Sequence, residues 1–201
     1  MTRTGRPRSF DHDAALDGAM FLFWDRGYDG VSVDHLREAM GNLSTASIYA
    51  TFGSKPELFR KALDRYAKTY GRVTAPLFDE TLQPQEAIER TLRGSADMQT
   101  GDNHPPGCMV ALSATLYPPS AADLALLVSA ERQKNRIGIR RCVERDVRMS
   151  KLPASDIEAI ATLYEGFLLG ISTQVRDGVS PLALSAAITA IMSCWGPLAD
   201  R

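Results

Sequence analysis

Apolar residues recur at helical spacing along the whole chain, and no convincing run alternates them with polar or β-branched positions, so the pattern predicts an all-α protein. From Asp11, the residues Ala15, Leu16, Ala19, Met20, Leu22 and Phe23 form a broad apolar face that closes near Gly27, a residue suited to a helix C-terminal turn. A second helix starts at Ser32, which can cap the free amides of Val33 to His35. It presents Val33, Leu36 and Met40 to a core and ends at Gly41. After Gly41-Asn42-Leu43, Ser44 opens a third, very short helix that runs through Ala46, Ile48 and Tyr49 to Phe52. Gly53 breaks the chain. Ser54 as cap, with Pro56 just inside and Glu57 at the third helical position, then predicts a fourth and longer helix through Leu58, Phe59, Leu63, Tyr66 and Tyr70.

The stretch from Pro76 to Pro84 reads as a joint. Beyond it, helical patterns lie near 85–99, 108–116, 120–149, 155–177 and 181–195, with Gly101 to Gly107 as a loop and breaks at Pro118-Pro119 and Leu152-Pro153. No charged residue occurs between Asp177 and Asp200, but Ser180-Pro181 and Gly196-Pro197 delimit a helix of roughly 15 residues. At about 1.5 Å per residue this covers roughly 22 Å, short of the roughly 30 Å hydrocarbon core of a bilayer, so a helix buried on more than one face is expected and no membrane partner.

Two short helices joined by a Gly-bearing turn are the signature of helix-turn-helix. The third helix opens with Ser44, Thr45, Ala46 and Ser47, small side chains that permit close approach to a major groove. Thr45 and Ser47 can hydrogen-bond to bases or phosphates, the methyl groups of Thr45 and Ala46 can meet a thymine methyl, and Tyr49 can offer its hydroxyl to a phosphate. The same residues also suit the plainer role of capping a small core helix.

Charge sharpens this picture through its distribution. Lys plus Arg number 23 against 24 Asp plus Glu, a formal charge of −1, so any polyanion must be met locally. Arg3, Arg6 and Arg8 stand before the first acid, Asp11, and form a basic arm of the kind that enters a minor groove. Lys55 sits at the start of the fourth helix, where its ammonium and the free amides are placed for a phosphate.

Catalytic chemistry finds no anchor. The sequence carries no phosphate-binding glycine fingerprint, no G-x-S-x-G and no H-E-x-x-H, and His12, His35 and His104 fall on three different elements without ligand spacing. Cys108, Cys142 and Cys194 are far apart, which excludes a disulfide framework or a recognisable zinc site and fits a reducing cytoplasm. Neither metal nor cofactor is expected. At 201 residues and 44% hydrophobic composition, the chain is long and apolar enough for one domain or two small ones with a real core.

Taken together, GRPRSFD from Gly5 to Asp11 and ALDGAMFLFWDRGYDGVSVDHLREAMGNLSTASIYATFGSKPELFRKALDRY from Ala15 to Tyr66 resemble the tetracycline-repressor (TetR) family of bacterial transcriptional regulators. The resemblance rests on the Gly27-Tyr28 turn, the capped start Ser32-Val33, the Gly41 turn, and Tyr49 to Phe52 leading into Gly53-Ser54-Lys55. It implies DNA-facing roles for Ser32, Ser44, Thr45, Ala46, Ser47, Tyr49 and Lys55. Many members have Lys-Gly or Lys-Pro where this chain has Thr45-Ala46, so no operator sequence carries over.

The resemblance also implies four parts: a basic arm over 1–10, a helix-turn-helix DNA-binding domain over 11–55, a connecting helix over 56–75, and a helical ligand-binding and dimerisation domain over 76–201. For a homodimer interface the expected residues are Ile160, Tyr164, Leu168 and Ile171 on one helix and Leu184, Ala187, Ile188, Ile191 and Trp195 on the next, with Leu163, Gly166 and Gly170 offering a second, closer-packing face. An apolar effector pocket is expected among Met98, Cys108, Met109, Leu112, Leu116, Tyr117, Tyr164 and Phe167. The expected function is a ligand-responsive regulator, a repressor that binds a palindromic operator as a dimer and is released by a small apolar molecule. The competing class is an all-α small-molecule carrier or interaction module without specific DNA binding.

Overall fold

The computed structural model describes residues 10–113, 122–149 and 152–196, and among these residues every regular element is helical. The first four helices are α1 (His12–Arg26), α2 (Val33–Ala39), α3 (Thr45–Phe52) and α4 (Lys55–Lys68), followed by a 3₁₀ segment over Tyr70–Phe78. Then come α5 (Pro84–Gln99), the single turn α6 (Met109–Leu112), α7 (Ala122–Arg148), a 3₁₀ turn at Ala154–Asp156, α8 (Ile157–Arg176) and α9 (Pro181–Met192).

Polar side chains set the boundaries. Asp11 accepts from the amides of Asp13 and Ala14 at 3.0 and 3.1 Å to open α1, and Ser180 caps α9 through Ala183. The stretch expected to be a joint is half helical: 70–78 winds as 3₁₀ with Pro76 inside it, which the tighter ladder tolerates, and only Asp79 to Gln83 connect. Gly138 explains how this segment lies so close to α7, since a Cβ there would sit 2.8 Å from Cβ of Leu77.

Two hydrophobic clusters carry the fold. The first joins Ala15, Met20, Phe23, Leu36, Ile48, Phe52, Phe59 and Tyr66 of the N-terminal helices to Met109 and Val110 of α6 and to Leu124 and Val128 at the start of α7. The second packs Leu77, α5, the C-terminal half of α7, α8 and α9 around Ile139, Cys142, Tyr164 and Ile188. None of the helices among the described residues is long and apolar enough to cross a membrane.

Candidate DNA interface and effector cavity

The helix-turn-helix is built on a close contact between α1 and α2. A Cβ at Gly18 would lie 2.0 Å from the carbonyl oxygen of Ala39, so only glycine allows the two helices to approach this far. Ser32 and His35 form a reciprocal cap on α2: the His35 amide donates to Ser32 Oγ at 3.1 Å and the Ser32 amide donates to His35 Nδ1 at 3.2 Å. The turn to α3 uses two left-handed residues in succession, Gly41 at φ 79° and Asn42 at φ 59°. Arg37 steadies it by donating to the Leu43 carbonyl while pairing with Asp34.

Ser44 caps α3 by accepting from the Ser47 amide at 3.1 Å. Ile48 and Phe52 anchor the helix with no exposed surface, so the opposite face, carrying Ser44, Thr45, Ala46, Ser47 and Tyr49, is open to solvent. Lys61 donates to the Phe52 carbonyl at 3.1 Å and so holds the C-terminal end of α3 on α4. The positive end of the α3 dipole thus coincides with its exposed polar turn.

Lys55 is half-buried, with its ammonium 4.3 Å from the centre of the Tyr28 ring. Burial lowers its pKa, opposed by the Asp29 carboxylate, while burial and Asp29 raise that of the Tyr28 phenol. Tyr28 is therefore a positioning residue that sequence reasoning had taken only as part of a turn. Next to it, Ser54 donates both its amide and its hydroxyl to Glu57, and these bonds hold that carboxyl below the usual range. Ser32 is exposed beside this surface, whereas Arg3, Arg6 and Arg8 lie outside the described residues.

Two ion-pair groups tie this unit to the rest. Arg65 on α4 grips Asp17 on α1 with two bonds of 2.9 and 2.8 Å. Arg176, in the last turn of α8, donates to the carbonyls of Trp24 and Asp25 at the end of α1 and to that of Pro106 in the loop between α5 and α6, and pairs with the Asp25 carboxylate at 3.7 Å. His104 from the same loop stacks on Trp24, ring centres 4.8 Å apart, and meets the edge of Tyr70. No periodicity signals a partner 150 residues away, so sequence reasoning missed Arg176.

A cavity of about 120 Å³ opens where α4, the 3₁₀ segment, α5, α6, α7 and α8 converge. Met98 and Cys108 line it, together with Tyr66, Gln99, Val110 and Leu168. Other predicted lining is elsewhere. Met109 is fully buried in the first core, Tyr164 fills the second and donates to the Ile191 carbonyl at 3.0 Å, Phe167 packs against that core, and Leu112 lies against Gly107. Leu116 and Tyr117 lie outside the described residues.

The expected dimer stripe needs a larger correction. Ile160, Tyr164, Leu168, Ile171, Leu184 and Ile188 are buried in the chain's own core, so they have no surface left for a partner. Ile191 and Trp195 pack on the same core, with the indole donating to Asp146 at 2.9 Å, and Ala187 is half-buried. What α8 and α9 leave exposed is another uncharged face: Leu163 and Gly166 on α8, with Gly170 half-buried beside them, and Leu182, Ala183, Ala186 and Ala190 on α9. A Cβ at Gly166 would meet nothing within 4 Å.

Comparison with known proteins follows the same geometry. Residues 15–62 match the model for bacterial regulatory proteins of the tetR family, which covers α1 to most of α4. The HTH-type transcriptional repressor ComR of Escherichia coli K12 is 32% identical over 196 residues, 96% of this chain and 93% of that protein. The HTH-type transcriptional repressor BdcR of the same strain is 32% identical over 122 residues, 61% of each chain. Among solved structures, a cysteine mutant of the regulator CifR bound to 26-base-pair operator DNA superposes with a TM-score of 0.86 at 37% identity, covering 95% of this chain and all of that one.

Proposed function

Because the chain belongs to the tetR family of bacterial regulatory proteins, we propose that it is a ligand-responsive DNA-binding regulator: a cytoplasmic, non-enzymatic repressor that occupies a palindromic operator as a homodimer and leaves it when a small molecule binds. The observation that carries this reading is the exposed, uncharged polar turn Ser44 to Ser47 on a short helix whose other face is locked by Ile48 and Phe52. In this reading α3 enters the major groove. Thr45, Ala46 and Ser47 meet base edges, while Tyr49, Ser32, Ser44 and Lys55 meet phosphates and Arg3, Arg6 and Arg8 reach the adjoining minor groove.

Two recognition helices must stand about 34 to 36 Å apart to enter successive grooves on one side of the duplex. The exposed face of α8 and α9 supports the pairing: Gly166 and Gly170 permit close helix approach, and nothing within the chain calls for glycine at 166. A ligand that prefers the form with wrong spacing lowers operator affinity by the same factor by which the operator lowers its own. The carrier alternative accounts for the cavity but leaves the polar turn and its Lys55 neighbour without a role.

The deciding experiment is a mobility-shift titration against the chain's own upstream intergenic DNA at two salt concentrations, with random duplex as competitor. Wild type should give a competitor-resistant species with dimer stoichiometry. Lys55→Ala and Tyr49→Phe should weaken binding to all sequences, Lys55→Ala with a reduced salt slope, whereas Thr45→Ala should alter sequence preference. Variants that leave DNA association untouched overturn the assignment.

A further inference from the structure

The cavity between α4 and α8 holds one donor that the protein satisfies poorly. Tyr66 is only 2% exposed, and its hydroxyl donates to the sulfur of Cys108 at 3.1 Å. Sulfur is a weak acceptor, so an oxygen placed there by another molecule makes a better partner for a phenol removed from water. At the α5 and α8 side the polar groups are matched to one another, since Gln99 donates to Ser95 and accepts from Ser172, both at 2.7 Å, while Asn135 of α7 adds a half-buried amide to the lining. The cations and anions at the rim cancel, since Lys134 pairs with Glu131 at 2.5 Å. The cavity offers no net charge to select an ion.

Size narrows the occupant further. An engineered apolar cavity of about 150 Å³ takes up benzene, so about 120 Å³ here accommodates a molecule of roughly six non-hydrogen atoms. Position gives the occupant leverage, because the Tyr66 ring also meets Trp24 of α1 edge-on at 4.8 Å. The side chain that would greet the ligand is part of the core under the helix-turn-helix.

Resting on the ligand-responsive reading above, we propose that the effector is a small uncharged molecule with a single acceptor oxygen, such as a short ketone, ether or alcohol, which takes the Tyr66 hydroxyl from Cys108. Binding then reorients Tyr66 against α1 and α4, and the position of α3 changes with them.

The test uses cyclopentanone and its hydrocarbon counterpart cyclopentane as probes, with decanoate as a larger anion, on full-length wild type, Tyr66→Phe and Cys108→Ser. Melting temperature reports binding and fluorescence anisotropy of labelled operator reports release. Cyclopentanone should stabilise wild type saturably, with half-effect at roughly 1–10 mM, and weaken operator binding about tenfold. Tyr66→Phe should take up cyclopentane like wild type but lose about fivefold in cyclopentanone affinity. Cys108→Ser, which hands the phenol an internal oxygen, should also bind the ketone less well. Equal binding of ketone and hydrocarbon in all three proteins overturns the role of Tyr66. Release by decanoate with no response to cyclopentanone overturns the ligand class while leaving the ligand-responsive reading intact. Loss of operator binding by unliganded wild type would defeat that reading instead, and the melting data would still decide the cavity.

Discussion

Replacing Gly18 with alanine tests the geometry on which the recognition helix depends. The added methyl would start 2.0 Å from the Ala39 carbonyl oxygen and 2.9 Å from its carbon. Non-bonded carbon and oxygen seldom approach below about 3.3 Å, so α2 must retreat by more than about 1 Å. Both clashing atoms belong to the backbone, and no side chain can rotate out of the way. Overpacking of this kind costs about 1–3 kcal/mol, and the better helix propensity of alanine returns up to about 1 kcal/mol. Set against a return of about 1 kcal/mol, the net loss is roughly 0–2 kcal/mol, a fall in melting temperature of up to roughly 8 °C for a chain of this size. The larger effect falls on function. Met40 and the Gly41-Asn42 turn move with α2 and carry Ser44 with them, so hydrogen bonds from α3 to base edges lose their alignment. Urea titration followed by circular dichroism measures the first effect. Operator anisotropy at a temperature where both proteins are folded measures the second, with an expected loss of tenfold or more. An unchanged urea midpoint together with unchanged operator affinity would refute the argument that close contact of α1 and α2 sets the position of α3.

Gly166→Ala should behave in the opposite way on folding: the site is open within the chain, so stability of the monomeric unit rises by about 0.5–1 kcal/mol, while sedimentation should show a weaker dimer if a partner helix lies on this face. Arg176→Met removes three backbone bonds and the pair with Asp25. With the side chain about one-third exposed, the expected cost is about 1 kcal/mol, and hydrogen exchange should accelerate at the C-terminal end of α1 ahead of the rest of that helix. Burial pushes the Cys142 thiol up to about 11, so the neutral form prevails at pH 8 and its thiolate is scarcer by roughly two hundredfold than that of a free thiol near pKa 8.5. Mass spectrometry after brief iodoacetamide treatment should find Cys142 unmodified in the native protein and modified after denaturation. Loss of operator binding on acidification should include a contribution from Glu57: its carboxylate supports the start of α4 above the ordinary glutamate pKa of about 4.3, and that support disappears as pH falls through its lower folded value.

The N-terminal third was legible because its information is local. Ser32, Ser44 and Ser54 announce helix starts within a few residues of the groups they cap, Gly41 and Gly53 mark stops, and short helices leave little freedom in how Ile48 and Phe52 can be buried. Farther along, periodicity gave the apolar stripe of α8 correctly but could not say what covers it. Ile160, Leu168 and Ile171 proved to be buried in the second core of the same chain, and a stripe reads identically whether its neighbour is internal or a second copy. The cavity shows the same limit. The spacing places Tyr66 on the apolar face of α4, and only the meeting of six elements reveals that it lines a void. Arg176 depends on a contact 152 residues distant in sequence, beyond the reach of any spacing rule.

The first hydrophobic cluster bears on how proteins of this design can be recombined. Because Met109, Val110, Leu124 and Val128 complete the core beneath α1 and α4, a cut at the short connection after the 3₁₀ segment would divide one folding unit and leave its apolar underside wet. A chimera joining residues 1–78 to a foreign effector module would therefore inherit the operator-reading surface without its foundation. Such a graft should succeed only when the recipient also receives α6, the opening turns of α7 and an arginine at the position of Arg176, so that the interchangeable part is a discontinuous one, assembled from three separate stretches of chain.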